Sequence, residues 1–260
     1  SFGIWHGLLD EVKQIAAERG VRITGMHTHI GSGGDPEVWK HCARLSLGIA
    51  AKLPDVTTLS LGGGFKVARV PGEKSADLQE IGDALLADVK QFAEDHGRKL
   101  HIEVEPGTYL TADAGALVST IVDVVTTKPE GYDFIKLDAG MTDILRPSMY
   151  GAQHPMAIVT PEEVDRPARS YVVVGHCCES GDILTPAPGE PEALQPRELI
   201  EAKVVDLMVI GGAGAYCSSM SAKNYNSFPE APEVLIQDDG SFRLIRERQT
   251  LASVVERELA

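Results

Sequence analysis

The chain has 260 residues, 43% of them hydrophobic, enough to bury the core of one large domain or two smaller ones. Its 38 acidic against 24 basic residues give a net charge of −14, which argues against broad contact with nucleic acid or an anionic membrane. Four cysteines in a chain this large make no disulfide framework, and no run is long and apolar enough to span a bilayer.

The N-terminal "SFGIWHGLLDEV" lacks the basic-then-apolar order of a secretory leader, so a reducing cytoplasm is the expected compartment. "GLLDEVKQIAAERG" has apolar residues at helical spacing and a terminal glycine, which predicts a helix. "VRITGMHTHIGS" reads as a strand running into a loop, and "EVWKHCARLSLGIAAKL" as a helix. "VTTLSLGGGF" reads as a strand and a Gly-rich loop, "SADLQEIGDALLADVKQFAEDHG" as a long helix, and "KLHIEVEPG" as a strand ending at Pro106. This alternation implies parallel strands joined by helices, with functional loops at the strands' carboxyl ends.

After about Gly107 the rhythm changes. "GALVSTIVDVVTTKPEGYDFIKLDAG" reads as two strands around a turn. "RSYVVVGHCCES", "EAKVVDLMVIGGAGAY" and "APEVLIQDDGSFRLI" add strands, the last with an Asp-Gly hairpin signal. "TPAPGEPEALQPREL" reads as a Pro-rich surface loop, and "TLASVVERELA" as a closing helix. The expected organisation is an α/β part over residues 1–112 and a mainly antiparallel β part over 113–260.

Three strand ends of the α/β part carry unusual residues: His27, His29 and Ser32, then Gly62, Gly63 and Gly64, then Glu103, Glu105 and Gly107. In a parallel fold they converge on one face. His27 and His29 would share one side of a strand, as two metal ligands need. The flanking "IGS" and the glycine triplet instead resemble an anion cradle of backbone N–H groups, so no metal is expected. "HCCESGD" offers a thiol acid and a carboxylate, or only small buried thiols at a strand end. Arg146 and Tyr150 lie four apart, on one face if their segment is helical, and the arginine fork suits a substrate carboxylate.

In order and rough spacing, "HTHIGS", "LGGGF", "EPGTYL", "DAGMTDILRPSMYG", "CCESGD" and "GAGAYCSSMSAKNYNS" resemble the diaminopimelate decarboxylases, pyridoxal 5'-phosphate (PLP) enzymes of the alanine-racemase-like fold. The resemblance runs nearly end to end. It implies the C-terminal part of a PLP-binding (β/α)8 barrel followed by the β domain. It also implies that Gly62, Gly63, Gly64 and Gly107 approach the cofactor, with Ser32 and Tyr216 near its phosphate. His29 would stack on the ring, and Glu105 would pair with the ring nitrogen. Arg146, Tyr150 and Tyr216 would hold the substrate, conversion of meso-diaminopimelate to L-lysine and CO2 being the implied reaction. In a homodimer with shared sites, Cys178 would be the proton donor and Glu179 would hold the distal amine, both from the partner subunit.

Two departures stand out. The family has "EPGR" where this chain has Thr108, without the guanidinium. The family's cofactor-bearing lysine lies well upstream of the histidine motif, yet the only lysine before His27 is Lys13, in a helical pattern. About three strands in 112 residues cannot close an eight-stranded barrel. The expectation is therefore a C-terminal portion of a longer protein. A sister decarboxylase of ornithine, lysine, arginine or carboxynorspermidine, a non-catalytic homologue and a metal hydrolase are the rival readings.

Overall fold

The computed structural model describes residues 3–31, 33, 35–162 and 164–259. The chain divides into two compact units, residues 1–68 with 72–110, and residues 69–71 with 111–260.

The first unit alternates helices and short strands: α1 (Leu9–Glu18), β1 (Gly25–His27), α2 (Pro36–Ala50), β2 (Thr58–Ser60), α3 (Leu78–His96), β3 (His101–Glu103) and the start of α4 (Gly107–Thr111). The boundaries follow local chemistry. The Asp35 side chain accepts from Glu37 N, and Pro36 occupies the first turn, where a missing N–H costs nothing. Asp77 caps α3 by accepting from Glu80 N, and Gly97 ends it with φ +62. The three strands form a parallel sheet in the order β1-β2-β3.

Strand periodicity sorts the faces. Met26, Leu59 and Ile102 lie in one row, packed with Trp39, Leu47, Ile81 and Phe92 in an apolar core. His27, Ser60 and Glu103 are the next row, one residue on and therefore on the opposite face. The described residues of this unit form three parallel strands and no closed barrel.

The second unit contains β4 (Leu117–Thr126), β5 (Asp133–Leu137), α5 (Arg146–Tyr150), β6 (Met156–Val159), β7 (Ala168–Val174), β8 (Pro186–Ala187), β9 (Glu190–Leu194), β10 (Arg197–Ile200), β11 (Leu207–Ile210), β12 (Glu233–Ile236), β13 (Phe242–Arg246) and α6 (Leu251–Val254). Six strands form one sheet, β10-β7-β5-β4-β11-β6, antiparallel except for β5 with β7. Long β4 serves two partners. Leu117–Thr120 pairs with β11, and the part from Ile121 onward pairs with β5, with a register shift between Ile121 and Asp123. The edge strands β10 and β6 approach each other, so the sheet nearly closes around Ile121, Ile135, Leu137, Ile144, Val173, Leu184, Met208 and Ile210.

Three local expectations are corrected. The Pro-rich segment is not a surface loop. Gly189, at φ +77, turns it into the β8–β9 hairpin, and Pro186 is buried. The closing helix is only four residues long, capped by the Thr250 side chain on Ser253 N, with none of its residues buried. A helix with no buried apolar residue has little beyond propensity to hold it. Finally, β1 stops at His27, so His29 lies in the loop beyond and the two histidines do not share a strand face.

Candidate active site

In the first unit, the loops after β1, β2 and β3 are locked together by backbone bonds. Thr28 N donates to Ser60 O, Leu61 N to Glu103 O and Glu105 N to Gly62 O. These bonds carry the glycine triplet between its neighbours and supply a reason for it that spacing alone lacks. A Cβ at Gly62 would lie 2.9 Å from Thr28 O, at Gly63 2.4 Å from Glu105 O, and at Gly64 1.8 Å from Gly31 O. Gly62 and Gly64 also have φ of +68 and +89. The triplet is thus demanded by the protein's own loops. Trp39 holds the loop from below, its Nε1 donating to Gly63 O at 3.3 Å. Among the described residues, the Gly63 and Gly64 N–H groups find no backbone acceptor.

Glu105 stands at the mouth of these loops, its side chain 59% exposed. Ser60 Oγ lies 3.2 Å from its Oε1 and His27 Nδ1 3.4 Å from the same oxygen. His29 is exposed beside Gly62, and Gly107 N donates to Glu105 O at the start of α4. So the structure brings His29, Gly62, Gly63, Gly64, Glu105 and Gly107 to one group of strand ends. Ser32 lies outside the described residues. Among those residues, no three His, Cys, Asp or Glu side chains are grouped to hold a metal ion.

In the second unit, Arg146 opens α5 and Tyr150 closes it, with Gly151 at φ +60 as the stop. Sequence reasoning missed the residue that fixes the arginine. His154 is 2% exposed; its Nδ1 is 2.9 Å from Gly211 O and its Nε2 is 3.0 Å from Arg146 Nη1. A carbonyl only accepts and a guanidinium only donates, so His154 is the neutral Nδ1–H tautomer. Tyr216 follows β11 in a left-handed conformation, φ +56, and is half-exposed.

Cys178 and Glu179 sit on the loop after β7, held by Asp182. This carboxylate is buried and accepts from Met141 N at 2.7 Å and Cys177 N at 2.9 Å. Gly140 and Gly175 make room for it, since a Cβ on either would lie within 2.4 Å of its oxygens. Burial raises the Asp182 pKa, against the two N–H groups. The Cys177 thiol is pushed up to about 12, first by burial and then by the Asp182 charge. Cys178 is exposed.

Glu179 is held below the usual carboxylate range, first by the Gly181 N–H and next by the Tyr225 hydroxyl, 3.1 Å from Oε2. Cys178 N donates to Asn226 Oδ1. The supporting segment has three non-glycine residues at positive φ, Asn224, Asn226 and Ser227. Such backbone persists where surrounding bonds over-determine it, often at functional sites. Tyr225 and Asn226 lay within the quoted "NYNS", but nothing local in that string says which loop it would brace.

Among the described residues, no helix is long and apolar enough to cross a membrane. The family described as pyridoxal-dependent decarboxylase, C-terminal sheet domain, matches residues 38–214. The chain is 36% identical to the diaminopimelate decarboxylase of Streptomyces coelicolor over 99% of its own length and 58% of that protein's. A crystal structure of diaminopimelate decarboxylase superposes with a TM-score of 0.90 at 34% identity, covering 99% of this chain and 61% of that one. The Helicobacter pylori diaminopimelate decarboxylase complexed with L-lysine gives 0.83 at 29% identity, covering 99% and 60%. The chain therefore spans about three-fifths of the length of these relatives.

Proposed function

Because the chain belongs to the pyridoxal-dependent decarboxylase family, we propose that the protein decarboxylates meso-diaminopimelate to L-lysine, using PLP, in the cytoplasm and as a homodimer with shared sites. The observation that carries this reading is the cluster at the ends of β1, β2 and β3. One anchored carboxylate, one open imidazole and a loop of backbone N–H groups stand together there. This donor set fits a phosphate-bearing, protonated heteroaromatic ring. A loop of N–H groups suits the phosphate, and the carboxylate suits a ring N–H. The relatives named diaminopimelate decarboxylase support the choice of substrate.

When bound, PLP supplies the electron-accepting ring that makes loss of the α-carboxylate possible. The chain's own residues do the rest. Glu105 would face the ring nitrogen with a negative charge and so would keep it protonated. His29 would cover the ring, and the loop Gly62–Gly64 with Gly107 would hold the phosphate end. Arg146, fixed by neutral His154, offers a fork to the substrate's distal carboxylate. Glu179 remains ionised at neutral pH and so attracts an ammonium group. Cys178 would deliver the proton to Cα, while Cys177, half-buried and raised to about 12, remains a protonated thiol. The sites are completed across the dimer, with Cys178 and Glu179 serving the partner subunit.

The test uses the full-length protein. Titration with PLP is expected to give a visible absorption band, and CO2 release is expected from meso-diaminopimelate in preference to L-ornithine, L-lysine and L-arginine. A protein that stays colourless in excess PLP, or one that prefers another amino acid, would overturn the assignment.

A further inference from the structure

Ser60 closes β2 and is 5% exposed. Its hydroxyl touches groups from three chain segments. Glu105 Oε1 is 3.2 Å away, His27 Nδ1 2.8 Å and the Gly62 backbone nitrogen 3.3 Å. A hydroxyl has one proton and two lone pairs, and this one has three neighbours, so the roles are determined. A backbone N–H only donates, so Gly62 takes one lone pair. An ionised carboxylate only accepts, so the serine proton goes to Glu105. The second lone pair faces His27 Nδ1, which must then carry a proton.

The same His27 nitrogen is 3.4 Å from Glu105 Oε1. Both contacts fall on Oε1. Among the described residues no donor is aimed at Oε2. One oxygen of Glu105 is therefore anchored while the other is presented. The anchoring hydroxyl is also bonded to the first glycine of the triplet. Carboxylate and glycine loop thus share one buried atom.

We propose that Ser60, with His27 as its donor, is the positioning residue that sets Glu105 toward the cofactor's ring nitrogen and couples that carboxylate to the glycine loop. The inference rests on the PLP reading above. Without the anchor, a half-exposed glutamate keeps its rotamer freedom and meets the ring nitrogen only part of the time. The other titratable groups facing this cluster are Glu103, the register partner of Ser60 on β3 and 3.5 Å from His101, and His29 in the loop after β1.

The experiment binds PLP labelled with 15N in the ring to the full-length protein and reads that nitrogen by NMR across pH. Affinity is measured beside it by absorbance titration. In Ser60→Ala, PLP affinity should fall about tenfold, the range of one hydrogen bond to a charged group. The pH at which the ring nitrogen deprotonates should fall by about one unit, the same tenfold expressed as a proton affinity. His27→Leu should lower both, while His27→Asn, which keeps a donor at the δ position, should recover most of the loss. A merely structural serine would lower thermal stability without moving the ring-nitrogen signal. Should Ser60→Ala fail to fold, His27→Leu carries the same test from a half-exposed side chain. A ring-nitrogen titration unmoved in these variants, with PLP bound, overturns this inference alone. A wild-type protein that binds no PLP overturns the cofactor reading and this inference with it.

Discussion

Cys177 and Cys178 are adjacent in sequence and opposite in chemistry. Cys177 sits against buried Asp182, its thiol raised to about 12 first by burial and then by that carboxylate. Cys178 is exposed. The thiolate is the nucleophile, and at pH 8 a thiol of pKa about 12 is ionised in only about one part in 10⁴. Iodoacetamide at pH 8, followed by peptide mass spectrometry, is therefore expected to label Cys178 well before Cys177. Equal labelling would show that the raised thiol of Cys177, half-buried beside Asp182, is wrong. The same thiol makes a linkage statement. Its ordinary value is 9.0, so between pH 9 and about 12 the folded chain holds a proton that the unfolded chain has lost. Its contribution to stability is full below pH 9 and is lost as pH rises through that window. Cys177→Ala should flatten the fall of melting temperature between pH 8.5 and 10.5.

The loop after β7 is an element held from outside itself. Met141 N comes from the loop after β5, and Asn226 and Tyr225 come from the segment after β11. Asp182 is the common anchor, because its two oxygens collect N–H groups from two loops. Asp182→Asn turns an amide N–H₂ toward one of those donors, so a near-isosteric change does not spare the site. Both Asp182→Asn and Asp182→Ala are expected to cost roughly 1–3 kcal/mol in urea unfolding, the cost of a buried N–H left unsatisfied. Both should also lower kcat through the displaced Cys178 and Glu179. An Asn variant as stable and active as wild type would refute the anchor. At this scale the sequence was informative about the motif and silent about its support. "CCESGD" stood out as a string. The brace from Tyr225 lies 46 residues away, and that from Asn226 48 residues away from Cys178.

For the whole molecule, the decisive question is which subunit each group serves. Glu105 belongs to the first compact unit and Glu179 to the second. Under the shared-site reading, Glu105 acts on its own subunit's cofactor and Glu179 on the neighbouring one. Full-length Glu105→Ala and Glu179→Ala proteins should each be inactive alone. On mixing, half of the dimers in a statistical exchange are mixed, and in each of these one site collects both lesions and the other none. Activity should return toward about a quarter of wild type, from two-fold symmetry. If both residues served one site, every mixed dimer would hold two damaged sites and activity would stay absent, provided subunit exchange is shown to occur.

Period, caps and glycine positions are local properties, carried within a few residues of chain. That is why α1, α2, α3, β4, β5 and the β12–β13 hairpin were legible directly, as was the place of the glycine loop. The Pro-rich segment misled because composition does not say whether a turn will be flanked by pairing partners; Gly189 at φ +77 and the neighbouring strands decided it. The string of motifs likewise pointed to the family, since residue types in order survive without coordinates. What only the tertiary structure decided are contacts across long stretches of chain. His27 meets Ser60 33 residues on, Ser60 meets Glu105 45 residues on, and His154 reaches Gly211 57 residues away. Ser60 and His154 are ordinary residues by sequence, and their roles come from burial beside a charged group that needs a directed donor or acceptor. The glycine triplet joins the two levels. Its position was written in the sequence, but three carbonyls from other loops, Thr28, Glu105 and Gly31, are what a Cβ there would strike.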